Sequence, residues 1–219
     1  MTNWDRIAPA LVDATWETVY MVGVSMGLSL LLGIPLGVLL VITAPDGLDP
    51  RRTLNSVLGT IVNIGRSVPF IVLLVLVAPI TRAATGTTIG STATIVPLTI
   101  AAVPFIARLV EAALREVAPG KVEAARAMGA RRRDVVRTVL LPEARPGVVA
   151  AATVTLVALI SYSAMAGAIG GGGLGDFAIR YGYQRFNTEV TLACVAVLLL
   201  MVQLIQVFGD SLARRLSHR

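Results

Sequence analysis

The chain has one cysteine (Cys194), one histidine (His218) and one lysine (Lys121) in 219 residues. A single cysteine closes no intramolecular disulfide, and inside an apolar run it reads as a small packed side chain. One histidine and one cysteine assemble neither a metal cluster nor a Cys/His or Ser/His/Asp arrangement within one chain, which argues against an enzyme. Aromatic residues are 5% of the chain and are not interleaved with basic stretches as a base-stacking surface requires, so the net charge of +6 does not point to nucleic acid. Charged residues make up 15%, against about 25% in soluble domains. What remains is apolar: 55% hydrophobic residues and a mean hydropathy of +0.78 place the chain in a bilayer.

Five apolar segments follow one another. Met1 to Glu17 carries Trp4, Ile7, Leu11 and Trp16 on a rough helical stripe suited to a membrane interface, and it lacks the basic start of a signal peptide. Thr18 to Ile42 is uncharged and long enough to span at about 1.5 Å per residue, so a retained helix is expected there. Gly23 and Gly27, then Gly33 and Gly37, give the small-xxx-small spacing that lets helices approach closely. A second span is expected from about Leu54 to Ile80, interrupted by Arg66, with Pro69 and Pro79 permitting bends. An arginine at the bilayer centre costs at least about 2.5 kcal/mol, which places Arg66 near the headgroups and Ser67 to Ile80 deeper. Thr92 to Ile106, Pro146 to Ile169 and Val190 to Phe208 are the third, fourth and fifth spans. The glycine run at 170–175 lacks the Gly-Lys-Ser/Thr of a phosphate loop and is expected to be a tight, closely packed turn.

Charge sets the expected orientation. Fourteen of the nineteen Lys and Arg lie in the 45–52 loop, the 108–145 insert and the C-terminal tail; four lie in the N-terminus, the 82–91 turn and the 170–187 loop; Arg66 is the other. This bias puts the insert and the C-terminus in the cytoplasm and the N-terminus outside. The deep parts of the spans carry no Asp or Glu, the nearest being Glu17, Glu189 and Asp210 at their ends. Proton- or sodium-coupled carriers usually need such groups, so energy for uphill transport is expected to enter elsewhere.

The insert offers an entry point. Pro119 and Gly120 suit a helix start, Lys121 to Met128 make two turns, and Gly129 suits the stop. Ala124, Ala125 and Met128 give a small, flat face beside Glu123 and Arg126, a shape that fits a partner's groove; a helix lying on lipid fits the same periodicity. Asp134 suits the start of the next helix, and Pro142 marks the return to the membrane.

Glu123-Ala124-Ala125, three residues, Gly129, nine residues, Val139, one residue and Leu141-Pro142 resemble the EAA signature of permease subunits in bacterial ABC importers, with Val139 in place of the usual isoleucine. Together with Arg66-Ser67-Val68-Pro69-Phe70 and the run from Ser161 to Gly170, the chain is similar to the methionine uptake transporter family of the type I importer fold. The resemblance implies an all-α polytopic membrane protein: one permease domain over 1–219, five transmembrane helices and a cytoplasmic coupling helix within a segment of about 119–142. In that family the short helix docks into a cleft on the ATP-binding subunit. Carried over, Glu123, Ala124, Ala125, Met128 and Gly129 form the contact, with Arg131 and Arg132 beside it. Lys121 stands in no Walker A pattern, so the chain itself is expected to hold no cofactor, ATP and Mg²⁺ being bound by the partner ATPase.

The implied partners are a second copy of the chain about a two-fold axis, two ATP-binding subunits, an extracytoplasmic substrate-binding protein and the lipid bilayer of the cell membrane. Met165, among short residues, is a candidate for plugging the pathway or touching an apolar substrate, although most methionines in a span are core. Ser161, Tyr162 and Ser163 are weaker pathway candidates, since intramembrane hydroxyls usually satisfy a neighbouring backbone group. Asp176 and Arg180 are either a contact for a binding protein or a solvated rim. The substrate reading is methionine, with another small solute as the alternative within the class and a non-transporting membrane scaffold outside it.

Overall fold

The structure, a computed structural model, describes residues 4–217; His218 lies outside the described residues. Thirteen helical segments are described. They begin with α1 (Trp4–Thr43), α2 (Arg52–Ser67), α3 (Phe70–Leu76), α4 (Ala78–Thr85) and α5 (Ser91–Arg115). The insert forms α6 (Pro119–Ala127), α7 (Arg132–Val135), a π-helical turn (Val136–Leu140) and α8 (Leu141–Glu143). It is followed by α9 (Arg145–Gly167), α10 (Gly173–Phe177), a second π-helical turn (Ala178–Tyr183) and α11 (Thr188–Leu216).

Four of these, α1, α5, α9 and α11, are long and apolar enough to cross a membrane, and α2 with α3 makes a fifth span only as a pair bent by 106°. The second span, expected from about Leu54 to Ile80 with bends permitted at Pro69 and Pro79, is sharply broken between α2 and α3. The break has a local cause: Val68, the residue before Pro69, is extended at φ −75° and ψ 123°, as steric contact with the proline ring demands. A second interruption at Val77 precedes Pro79, which sits in the first turn of α4.

α1 lies along α5. Its buried residues, Met21, Ser25, Met26, Ser29, Gly33, Gly37 and Leu40 among them, recur at helical spacing and form one stripe. The glycine pairs divide between roles. A Cβ on Gly33 would stand 2.2 Å from Ile106 Cγ2 and one on Gly37 2.7 Å from the Ala107 carbonyl oxygen, whereas Gly23 and Gly27 have nothing within 4 Å. Only the second pair sets the helix approach. The core grows from this seam through Leu98, Ile106, Val110, Leu159 and Ala166 into α9.

The 170–175 turn is as tight as expected. Gly170, Gly172 and Gly173 hold positive φ, and a Cβ on Gly171 would lie 2.7 Å from the Ala166 carbonyl oxygen. Glu17 and Thr18 of α1 close the turn from the other side: Gly173 N–H donates to Glu17 Oε2 at 2.7 Å and Leu174 N–H to Thr18 Oγ1 at 2.9 Å.

Candidate functional site: the coupling segment and the α9 face

The presented helix is built by its ends. Ala118 is extended before Pro119, which enters the first turn of α6 where its missing N–H costs nothing. At the other end Gly129 takes φ +83°, Gly129 N–H donates to the Arg126 carbonyl and Ala130 N–H to the Ala125 carbonyl, a Schellman closure. The next helix starts two residues later, where Arg131 N–H donates to Asp134 Oδ2 at 3.2 Å.

On this frame Glu123, Ala124, Met128, Gly129 and Arg131 are exposed, Met128 at 82%. An isolated, nearly bare methionine beside a flat alanine surface is an adaptable apolar contact for a protein groove. Ala125 is buried at 6% and packs inward, so of the three residues of the Glu-Ala-Ala triplet two face out. Arg132 is exposed but engaged: its Nη1 lies 2.9 Å from Asp49 Oδ2 in the loop between α1 and α2. Lys121 Nζ reaches Glu143 Oε2 at 2.6 Å and ties α6 to α8. These are surface pairs, each contributing about 0–1 kcal/mol, so they orient the segment more than they stabilise it.

Sequence reasoning missed a second charged element. α5 remains helical through Arg115, past the expected end at Ile106, and it buries Glu111 at 5% exposure. Arg108 Nη1 donates to Glu111 Oε2 at 2.6 Å, Arg115 donates to Oε1 at 3.1–3.2 Å, and Arg115 Nη1 stands 3.6 Å from Asp46. The available signal was the i,i+3 and i,i+4 spacing of Arg108, Glu111 and Arg115. This clamp borders a polar cleft of about 620 Å³ between α2 and α5 that also receives Asn55, Thr60 and Asn63.

The pathway candidates lie near the far end of α9. Arg145 and Ser161 are sixteen residues apart on that helix, about 24 Å at 1.5 Å per residue. Ser161 and Met165, one turn apart, are exposed on the same face, Met165 at 50%. Ser161 Oγ donates to the Val157 carbonyl at 3.3 Å. Ser163 is buried at 1% and its Oγ donates to the Ile160 carbonyl at 2.7 Å. Tyr162 turns inward and stacks on Phe70 of α3, with ring centroids 4.7 Å apart and planes 9° apart, which joins α9 to the residue following the Pro69 break. The four residues thus do not converge on one surface. Asp176 is buried at 5% and paired with Arg180 in the next turn.

A bundle of helices long and apolar enough to cross a membrane, presenting a short, capped helix that leads through α7 and α8 into one of the spans, fits the permease subunit of a membrane transporter. The chain belongs to the family of binding-protein-dependent transport system inner membrane components, whose model matches residues 29–219. It is 54% identical over 209 residues to the probable D-methionine transport system permease protein MetI of Vibrio cholerae, covering 95% of this chain and 93% of that one. It is 42% identical to the methionine import system permease protein MetP of Bacillus subtilis, covering 95% and 94%. The solved inward-facing MetNI methionine ABC transporter superposes with a TM-score of 0.96 at 47% identity over the whole of both chains. An amino acid ABC transporter solved with histidines, at a TM-score of 0.81 and 20% identity over 98% and 100% of the two chains, shares the fold alone. The fold is that of a type I importer permease, and the chain is a membrane transport subunit rather than an enzyme.

Proposed function

We propose that this chain forms the translocation pathway of an ATP-driven importer that carries methionine, D-methionine and close analogues included, into the cytoplasm. The observation that carries this reading is the 54% identity to a D-methionine permease across 95% of the chain. Two copies meet about a two-fold axis, and the α6 of each docks on one of two ATP-binding subunits. ATP and Mg²⁺ are held by those subunits, and an extracytoplasmic binding protein delivers the substrate. The N-terminus lies outside and the C-terminus in the cytoplasm, which the distribution of Lys and Arg supports. The close match to an inward-facing transporter supports reading the present arrangement as inward-facing.

In this reading Glu123, Ala124, Met128, Gly129 and Arg131 meet the ATPase, and closure of the nucleotide dimer draws the two α6 helices together. Ala125 and the Lys121–Glu143 pair hold α6 against its own chain, so its displacement passes through α7, the π-helical turn and α8 into α9. Ser161 and Met165 ride on that helix and face the pathway, with Tyr162 and Ser163 fixing the helix behind them.

Proteoliposomes holding the chain with its ATPase, binding protein outside and ATP inside, test the proposal. L- and D-methionine are expected to accumulate only when all three components and ATP are present. An assembled complex that hydrolyses ATP yet moves neither enantiomer contradicts the substrate reading.

A further inference from the structure

α3, α4, α5 and α9 enclose a cavity of about 290 Å³ beside the 170–175 turn. Its walls are apolar, with Leu74, Ala78, Pro97, Ala166 and Ile169 prominent. Ala166, in the last turn of α9, and Ile169, in the turn that follows it, bring the end of α9 to the cavity wall.

One polar atom in this wall is unexplained. Thr81 lines the cavity at 4% exposure, and among the described residues its Oγ1 has no hydrogen-bond partner. The other buried threonine of the wall, Thr94, is engaged, its Oγ1 lying 3.0 Å from both the Gly90 and the Gly171 carbonyl oxygens. Buried hydroxyls are ordinarily paired, and a partner that arrives with a ligand is one way an orphan is satisfied.

Resting on the transport reading above, we infer that this cavity receives the side chain of the transported amino acid, with Thr81 Oγ1 donating to the thioether sulfur. The volume sits just below the range of about 300–1,000 Å³ for sites that take whole small molecules, so it suits a side chain whose amino and carboxylate groups stay in the pathway. A thioether is an apolar chain with one weak acceptor, which matches a largely apolar wall whose buried unpaired donor is Thr81 Oγ1. A lipid acyl tail matches the wall and leaves the hydroxyl unpaired. The cavity lies at the extracytoplasmic end of α9 in the orientation proposed above, where a substrate released by a binding protein first meets the chain.

Two measurements on the assembled transporter test the inference. The first is the uptake ratio of methionine to norleucine, which replaces sulfur by methylene, for wild type and Thr81→Val with the same binding protein. Valine keeps the shape and removes the donor, so the ratio is expected to fall about threefold in complexes matched for assembled, membrane-inserted protein. The second is photolysis of a diazirine analogue of methionine during turnover of the wild-type transporter, with adducts mapped by mass spectrometry. Adducts are expected within residues 74–81, 89–97 or 166–171. An unchanged ratio with adducts confined to other segments overturns the inference and assigns the cavity to lipid or to no occupant. Loss of all methionine uptake by wild type sinks the transport reading itself, which separates the two failures.

Discussion

Replacing Gly129 separates backbone geometry from partner contact in the coupling segment. Gly129 ends α6 at φ +83°, and a Cβ built there has nothing within 4 Å. Gly129→Ala therefore meets no steric obstacle within the chain; its whole intramolecular effect is the strain of an L-residue in the left-handed region, about 1–2 kcal/mol. If the alternative is a frayed α6, that strain lowers the population of the closed cap by a factor of about 5–30 relative to glycine. Asparagine adds a larger side chain yet tolerates this conformation better, and valine tolerates it worse. Methionine uptake by assembled transporters, normalised to membrane-inserted protein, is expected to rank glycine, asparagine, alanine, valine. If asparagine is as poor as alanine or poorer, contact with the partner and not the φ angle governs the site. If alanine matches glycine, α6 does not depend on its Schellman closure and the account of the helix end is wrong.

Three further outcomes follow from the packing. Gly33→Leu is expected to reduce folded yield sharply, since its Cβ already falls 2.2 Å from Ile106, whereas Gly23→Leu, with open space, is tolerated; fluorescence-detected size exclusion of the two variants reads the difference. Glu111→Gln leaves Arg108 and Arg115, both well exposed, facing a neutral partner, and a loss of about 1–2 kcal/mol is expected, seen as a lowered melting temperature in detergent. Asp49→Asn weakens two surface pairs, with Arg51 and Arg132, and is expected to change stability by about 1 kcal/mol or less in the same assay.

Much of the coupling segment was legible because its signals are local. Pro119 and Gly129 mark the ends of α6 through constraints that act within a few residues, and Asp134 marks the next start in the same way. Which residues of the Glu-Ala-Ala triplet face out was not legible, because Ala125 is turned inward by packing against the rest of the insert and Arg132 is drawn to a loop more than eighty residues earlier. The break at Val68 was signalled by Pro69, but a proline permits a bend without setting its size, and the turn of 106° depends on the neighbours of α2 and α3. The two glycine pairs of α1 look alike in sequence; only the position of α5 distinguishes Gly33 and Gly37 from Gly23 and Gly27. Glu111 went unread because Arg108 looked like the start of an exposed insert, while the helix in fact continues and folds its carboxylate between two arginines. The orphan hydroxyl of Thr81 exists only where α3, α4, α5 and α9 meet, so no single stretch announces it.

In the proposed cycle α6 passes the energy of ATP hydrolysis on a separate chain to the pathway on α9, and this coupling is what the transporter depends on. It is tested most directly by measuring ATP turnover and methionine uptake in parallel for wild type and Glu123→Arg. Glu123 is exposed, so reversing its charge leaves the fold of the chain intact and alters only the docking surface. Uptake at least tenfold below wild type, with substrate-stimulated ATP turnover lost from a correctly inserted permease, is the predicted result. Wild-type uptake and wild-type turnover in Glu123→Arg would contradict the claim.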